Sequence, residues 1–120
     1  MRLLTVYHYP ACGTCKKAVK WLQGEGHELD LQHIKDQPPS AEELQALIQR
    51  SGLDIKKFFN TSGEVYKQMN LKDKLAGMTD DEKIRLLSSN GMLIKRPIVS
   101  DGAKTTVGFK EEVFNENWKA

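Results

Sequence analysis

The two cysteines of this chain form a C-x-x-C motif between a strand-like segment and a helix-like segment. Residues 3–7 ahead of the motif are rich in strand formers, and residues 16–22 behind it have a helical pattern. The free N–H groups and the dipole at a helix start stabilise an anion, so they lower the pKa of a cysteine placed there. The motif therefore predicts that Cys12 is a nucleophile and that Cys15 resolves the mixed disulfide formed on it.

Three other interpretations of the motif stay open at this point. A zinc site needs four ligands, and the histidines His8, His27 and His33 show no second pair at metal-site spacing, so we expect no metal. Two buried, unreactive cysteines are a further alternative, because free cysteine packs as a small hydrophobe. A structural disulfide would close a loop too short to restrict the unfolded chain much.

Length and composition indicate one globular domain over residues 1–120. Hydrophobic residues make up 39% and charged residues 28% of the chain, and the net charge is +2. The charges are mixed along the chain, so we expect no direct contact with nucleic acid. The sequence has no apolar run of membrane-spanning length and no leader pattern at its start. Free cysteines without an export signal predict the cytoplasm.

A β-α-β unit opens the chain, and a helical insertion follows it. Residues 28–34 alternate polar and apolar side chains, which predicts a second strand parallel to the first. After two prolines, a capping box starting at Ser40 predicts a helix that stops near Gly52. Short helical segments continue to residue 90, and one of them opens with a capping box at Thr79. We therefore predict a helical insertion over about residues 40–90.

The last part of the chain has strand signals again. They fall at residues 92–94 and 98–99, and a turn at Asp101-Gly102 leads to a partner strand at residues 105–107. A short helix over residues 110–118 closes the chain. This order predicts an α/β protein with a thioredoxin-like fold, in which a mixed four-stranded sheet carries an α-helical insertion.

Three segments carry a resemblance to a known family: the loop over residues 7–15, the segment over residues 37–40 and the segment over residues 95–99. They resemble the corresponding segments of the glutaredoxin-dependent arsenate reductases. The segments have the same order and similar spacing, and the resemblance covers nearly the whole chain. It extends equally to the Spx-like transcriptional regulators, which share the fold and usually keep a C-x-x-C motif.

The resemblance implies roles for individual residues. It implies that Cys12 is the nucleophile, that His8 lies close to it, and that Arg96 faces it and binds the oxyanion or the thiolate. It also implies a cis peptide bond at Pro97, beside the cysteine pair. The alternative for His8 is a hydrogen-bonded strand histidine, and the alternative for Arg96 is a surface arginine.

Two departures from the arsenate reductases shift the expected chemistry. Those enzymes gather three arginines around the oxyanion, and here only Arg96 matches, since residues 58–62 and 107–110 contain none. Lys95 or Lys110 could supply charge, but lysine lacks the bidentate fork of a guanidinium. Those enzymes also often have serine at the position of Cys15. A second cysteine favours thiol–disulfide exchange over arsenate reduction.

Three functions therefore compete. The first is a cytoplasmic thiol oxidoreductase without a bound cofactor, recycled by thioredoxin or by glutathione with glutaredoxin, in which Gly13 and Thr14 offer N–H groups to the thiolate. The second is a redox-sensing regulator that binds RNA polymerase. The third is an interaction module with a partner surface at Phe58, Phe59 and Trp118, although core packing is the commoner fate of such residues. Nothing in the sequence requires more than a monomer.

Overall fold

A mixed four-stranded sheet is the centre of the molecule. The computed structural model describes residues 3–119. The strand order is β2-β1-β3-β4, with bounds β1 Leu3–His8, β2 Glu28–His33, β3 Ile98–Ser100 and β4 Thr105–Val107. The predicted thioredoxin-like α/β fold and the mixed four-stranded sheet are confirmed.

The strand pairing places β1 directly beside β3, which is far from it in the sequence. β1 pairs in parallel with β2, and helix α1, Gly13–Gly24, connects them as the sequence predicts. β3 pairs antiparallel with both β1 and β4. Tyr7 near the end of β1 therefore lies opposite Ile98 at the start of β3. The segment that follows β1 and the segment that precedes β3 meet at one edge of the sheet.

The helical insertion lies between β2 and β3. Its helices are α2 Ala41–Ser51, α3 Glu64–Gln68, α4 Leu71–Lys74 and α5 Asp80–Ser89, with short 3-10 turns at Ile55–Phe58, Leu75–Gly77 and Gly91–Leu93. Both predicted capping boxes are present: Ser40 and Thr79 accept hydrogen bonds from the N–H groups of Glu43 and Glu82. The closing helix, α6 Glu111–Asn117, follows β4.

The predicted strand over residues 92–94 is wrong. A 3-10 turn occupies Gly91–Leu93, and the side chain of Asn90 accepts a hydrogen bond from the Met92 N–H at 3.0 Å. Ile94 makes only an isolated bridge with Phe59. A short apolar run does not reveal its conformation, and here the polar cap of Asn90 fixes a turn instead.

Two hydrophobic clusters cover the two faces of the sheet. One joins the sheet to the helical insertion, and the other joins it to α1 and α6. Phe58, Phe59 and Trp118 are all buried within these clusters, and the Trp118 indole N–H donates to the Thr106 hydroxyl at 2.9 Å. A partner surface formed by these three aromatic residues is therefore wrong. Within residues 3–119, no helix is long and apolar enough to cross a membrane.

The 3-10 turn at Gly91 packs directly against the end of β2. A Cβ atom at residue 91 would lie 1.7 Å from the carbonyl oxygen of Ile34 and 3.2 Å from the Cα of Lys35. Both neighbours are backbone atoms that cannot move aside like a flexible side chain. This contact fixes the start of the segment that leads to Arg96 and β3.

We therefore expect Gly91→Ala to lower the free energy of unfolding by about 3 kcal/mol or more, because overpacking against backbone forces both segments apart. Urea denaturation followed by circular dichroism measures this. Gly24→Ala is the matched control, since a Cβ there meets nothing within 4 Å. The control should raise the free energy of unfolding by no more than about 1 kcal/mol. Equal stability of Gly91→Ala and the unmodified protein would contradict the packing argument.

Candidate active site

The cysteine pair lies at the start of α1. Cys12 is the N-cap residue with an extended backbone (φ −83°, ψ 121°), and α1 begins at Gly13, earlier than the sequence pattern indicates. Cys12 is half-buried, whereas Cys15 is 1% exposed. Both are free thiols. Only Cys12 is therefore open to a substrate, and Cys15 lies beneath it.

Backbone hydrogen bonds hold the loop between β1 and α1 around the two sulfurs. The Cys12 N–H donates to the Tyr9 carbonyl at 2.9 Å, and the Lys16 N–H donates to the Cys12 carbonyl at 3.1 Å. The Tyr9 N–H in turn donates to the Cys15 sulfur at 3.5 Å. The loop thus folds back on the helix start and supplies a donor to the buried cysteine.

The environment of Cys12 favours its thiolate. Partial burial raises the pKa of the thiol, but hydrogen bonds to the sulfur outweigh burial, so the pKa lies below its ordinary value. The donors are the backbone N–H and the thiol of Cys15, the backbone N–H of Thr14 and the guanidinium of Arg96. Thr14 therefore contacts the sulfur as expected of a residue at the helix start.

The environment of Cys15 has the opposite effect. Burial, the hydrogen bond with Cys12 and the charge of the Cys12 thiolate together raise the pKa of the Cys15 thiol to about 12. The Tyr9 N–H and the Arg96 charge oppose this rise only in part. The two environments therefore favour the thiolate at Cys12 and the protonated thiol at Cys15.

Arg96 and Pro97 reach the cysteine pair from the segment before β3. The peptide bond between them is cis, as the resemblance implies. The Arg96 guanidinium lies 5.2 Å from the centre of the Tyr9 ring, a cation–π distance. Its Nε and Nη1 atoms are buried, and neither has a hydrogen-bond partner within residues 3–119. Two N–H groups of this guanidinium are thus without a protein acceptor.

A cavity of about 290 Å³ opens beside Cys12. Its lining contains one sulfur, one guanidinium, two lysines and a primary amide among smaller and apolar groups: Cys12, Thr14, Asn60, Lys95, Arg96, Val107, Gly108, Phe109 and Lys110. Within the described part of the chain, no carboxylate lines this cavity. The arrangement suits a ligand that carries negative charge or becomes negative during a reaction.

The predicted site residues do not all line this cavity. Cys12, Thr14, Lys95 and Arg96 line it together. Cys15 and Pro97 are buried beside them, and Gly13 is exposed at the start of α1.

His8 does not line this cavity. Its ring lies 6.3 Å from that of His33, and burial, together with the nearby His33, lowers its pKa. Among residues 3–119, no group of three or more potential ligands could hold a metal ion.

The structure adds residues that the sequence did not single out. Asn60 and Phe109 line the cavity, and Tyr9 holds both the Arg96 guanidinium and the Cys15 sulfur. Asn60 and Lys110 lie in the two segments where the resemblance places the missing arginines. Both segments therefore lie at the site, as the resemblance implies. The residues that they place there are an asparagine and a lysine instead of two arginines.

The sheet topology and the cysteine pair define a thioredoxin-like protein. A model of the ArsC family matches residues 7–117. The chain therefore belongs to the ArsC family.

The relatives of this chain are not all named for the same function. The uncharacterized protein YusI of Bacillus subtilis is 62% identical over 115 residues, covering 96% of this chain and 98% of YusI. An arsenate reductase of Acidiphilium multivorum is 33% identical over 99 residues, covering 82% and 69%. The regulatory protein MgsR of Bacillus subtilis is 31% identical over 106 residues, covering 88% and 82%.

A solved structure supports the fold across almost the whole length. The crystal structure of a protein from Bacteroides fragilis, described as related to the ArsC family, superposes with a TM-score of 0.91 at 49% identity. The superposition covers 94% of this chain and 95% of that one. Family membership and fold are thus established together.

We expect the rate of iodoacetamide labelling at Cys12 to rise with pH and to reach half its maximum below about 8.5, the value for an ordinary cysteine. Arg96→Gln should move this midpoint to higher pH, because it removes a hydrogen bond that lowers the pKa of Cys12. Cys15 should stay unlabelled near neutral pH, which peptide mass spectrometry detects.

Arg85→Gln, at an exposed residue of α5, is the matched control and should leave the midpoint unchanged. If Arg96→Gln behaved like this control, the guanidinium would have no influence on the thiolate.

Proposed function

We propose that this protein is a thiol–disulfide oxidoreductase in which Cys12 attacks the substrate and Cys15 resolves the intermediate. The observation that carries the proposal is the difference between the two thiols. The accessible Cys12 has a lowered pKa beside Arg96, and the buried Cys15 has a pKa raised to about 12. Thiol–disulfide exchange begins from this state, in which Cys12 is a reactive thiolate and Cys15 is still protonated.

In the first step the Cys12 thiolate attacks one sulfur of a disulfide. The substrate S–S bond breaks, a Cys12–substrate disulfide forms, and the departing thiolate takes up a proton. Arg96 stabilises the thiolate before the attack, and its guanidinium charge, in the lining of the same cavity, would stabilise the negative charge that develops on the departing sulfur. The N–H groups at the start of α1 contribute to the same stabilisation.

In the second step Cys15 displaces the substrate thiolate. The charge of the Cys12 thiolate and the hydrogen bond to Cys12 both raise the pKa of Cys15. Both are lost once Cys12 is in a mixed disulfide. The Tyr9 N–H, 3.5 Å from the Cys15 sulfur, then stabilises the new thiolate. Cys15 is thus activated only after the first step. Thioredoxin, or glutathione with glutaredoxin, would reduce the resulting Cys12–Cys15 disulfide in the cytoplasm.

Arsenate is a less well supported substrate of the same site. A single guanidinium lines the cavity, and the segments that would supply two more present Asn60 and Lys110. A neutral amide and a flexible ammonium bind a tetrahedral dianion less well than two guanidinium forks. The 33% identity to an arsenate reductase keeps arsenate among the substrates to be tested.

The second candidate function is redox sensing by a regulator that binds RNA polymerase. The similarity to the regulatory protein MgsR, 31% identical over 88% of this chain, favours it. The same cysteine pair would then report the redox state of the cell through its disulfide. Sensing needs the Cys12–Cys15 disulfide but no turnover of a small substrate, so activity separates the two functions.

We expect the protein to reduce hydroxyethyl disulfide when coupled to NADPH through thioredoxin and its reductase, or through glutathione, glutaredoxin and glutathione reductase. Cys12→Ser should lower turnover by at least about a thousandfold, because it removes the nucleophile. Cys15→Ser should instead accumulate a Cys12–substrate disulfide, visible by mass spectrometry without a reductant. Because both recycling systems reduce this disulfide by themselves, turnover is the NADPH consumption in excess of the same mixture without the protein, and the system that supports this excess is a competent donor.

Arsenate replaces the disulfide in a parallel assay. Full activity in Cys12→Ser would overturn the proposal. A reducible Cys12–Cys15 disulfide without turnover of either substrate would favour the regulator.

A further inference from the structure

A second cavity, of about 370 Å³, adjoins the one beside Cys12. It lies between β4, α6 and the end of α2, and its lining is Ser51, Leu53, Lys57, Lys95, Thr105, Thr106, Val107, Gly108, Lys110, Val113 and Asn117. The two cavities share Lys95, Val107, Gly108 and Lys110. The two cavities therefore lie next to each other along these four residues.

The second cavity is positively charged. Lys57, Lys95 and Lys110 line it, and among residues 3–119 no carboxylate lines either cavity. Within the same described residues, none of the three ammonium groups has an ion-pair partner. Unpaired like charges around one concave surface raise the local concentration of anions.

The hydroxyl groups of the cavity already have partners in the protein. Ser51 donates to the Ile48 carbonyl at 2.6 Å, and Thr105 donates to the Ser100 hydroxyl at 3.0 Å. Thr106 accepts from the Trp118 indole. Recognition of a charged ligand would therefore come from the three lysines.

Lys95 lies at the junction of the two cavities, and Gly108 makes room for it. A Cβ atom at Gly108 would lie 3.1 Å from the Cε atom of Lys95, and the Gly108 backbone has a φ of +79° that favours glycine. The Gly108 N–H donates to the Pro97 carbonyl at 2.8 Å. The Lys95 stem therefore runs along a backbone segment tied to the cis-proline beside the cysteines.

We propose that the second cavity binds the carboxylate-bearing part of a small disulfide whose sulfur reacts with Cys12. This inference rests on the proposed disulfide exchange and names its substrate class. Small-molecule sites usually measure about 300–1,000 Å³, so each cavity alone is near the lower limit and the adjoining pair suits one extended molecule. The reactive sulfur would lie beside Cys12 and Arg96, and the carboxylate would lie among Lys57, Lys95 and Lys110.

The reaction balances with both cysteines and one external reductant. The substrate disulfide accepts two electrons from Cys12 and Cys15, which form a disulfide, and it leaves as two thiols that take one proton from Cys15 and one from water. A dithiol or two monothiols from outside then return the electrons. The lysines take no part in the bond changes, and they only bind and orient the substrate.

Lys57 is the residue that tests this proposal, because it lines the second cavity but not the cavity with Cys12. The probes are dithiodipropionate, hydroxyethyl disulfide and cystamine, which are anionic, neutral and cationic disulfides of similar size. The reduced protein is mixed with each probe, and quenched samples are analysed by mass spectrometry. Comparing one probe between variants cancels the intrinsic reactivity of that probe.

We expect Lys57→Gln to lower the ratio of the dithiodipropionate to the hydroxyethyl disulfide rate constant by about 2- to 5-fold, as expected for one exposed charge pair. Lys57→Glu should lower it further and raise the rate with cystamine. Added NaCl should slow only the anionic probe, because salt screens exposed charges. Lys67→Gln, at an exposed lysine of α3 that lines neither cavity, is the matched control and should change no rate.

The outcomes separate this inference from the proposed function. If hydroxyethyl disulfide reacts at Cys12 but neither Lys57 variant changes the ratio, the carboxylate site is overturned and disulfide exchange stands. If Lys57→Gln and Lys67→Gln lower the ratio equally, the effect is one of overall charge, and the site is again overturned. If no probe reacts while iodoacetamide still labels Cys12, the proposed function fails and this inference fails with it.

Discussion

The antiparallel pairing of β1 with β3 is the constraint on which the site depends. Because Tyr7 at the end of β1 lies opposite Ile98 at the start of β3, the loop with Cys12 must meet the segment with Arg96. That meeting allows the guanidinium to hydrogen-bond the Cys12 sulfur and to lie over the Tyr9 ring. The Gly91 turn, packed against the Ile34 backbone, fixes where the second segment begins. Sheet pairing and one close glycine contact thus bring together residues far apart in the sequence.

The two cysteines are chemically different although they belong to one helix turn. Cys12 is the N-cap with several donors to its sulfur, whereas Cys15 is buried and has one backbone donor from Tyr9. Their coupling gives the pair an order of events, because the charge on one sulfur keeps the proton on the other. An enzyme and a sensor can both use this order. The cysteine pair alone therefore does not separate the relatives named as arsenate reductases from the relative named as a regulator.

The lining of the cavities is the part of the structure that bears most directly on the choice of substrate. One guanidinium lies beside Cys12, and the remaining positive charge is on three lysines, of which two line both cavities and one lines only the second. Guanidinium groups clustered at one point suit a compact tetrahedral anion, whereas ammonium groups spread along two adjoining cavities suit a longer ligand with charge at a distance from its reactive atom. The same fold and nucleophile can thus serve different substrates through the residues at a few rim positions.

Local patterns in the sequence determined the parts that depend on neighbouring residues. The C-x-x-C motif at a helix start, the β-α-β unit, the hairpin and the two capping boxes follow from side chains within a few positions of each other. The tertiary structure decided the rest. It packed the 3-10 turn at residues 91–93 against the Ile34 backbone, a distant contact that reinforces the local Asn90 cap over a short apolar run. It also placed His8 beside His33 and brought Asn60 and Lys57 to the cavities. Such contacts join distant segments, and periodicity records which face of an element is buried but not which distant residue covers it.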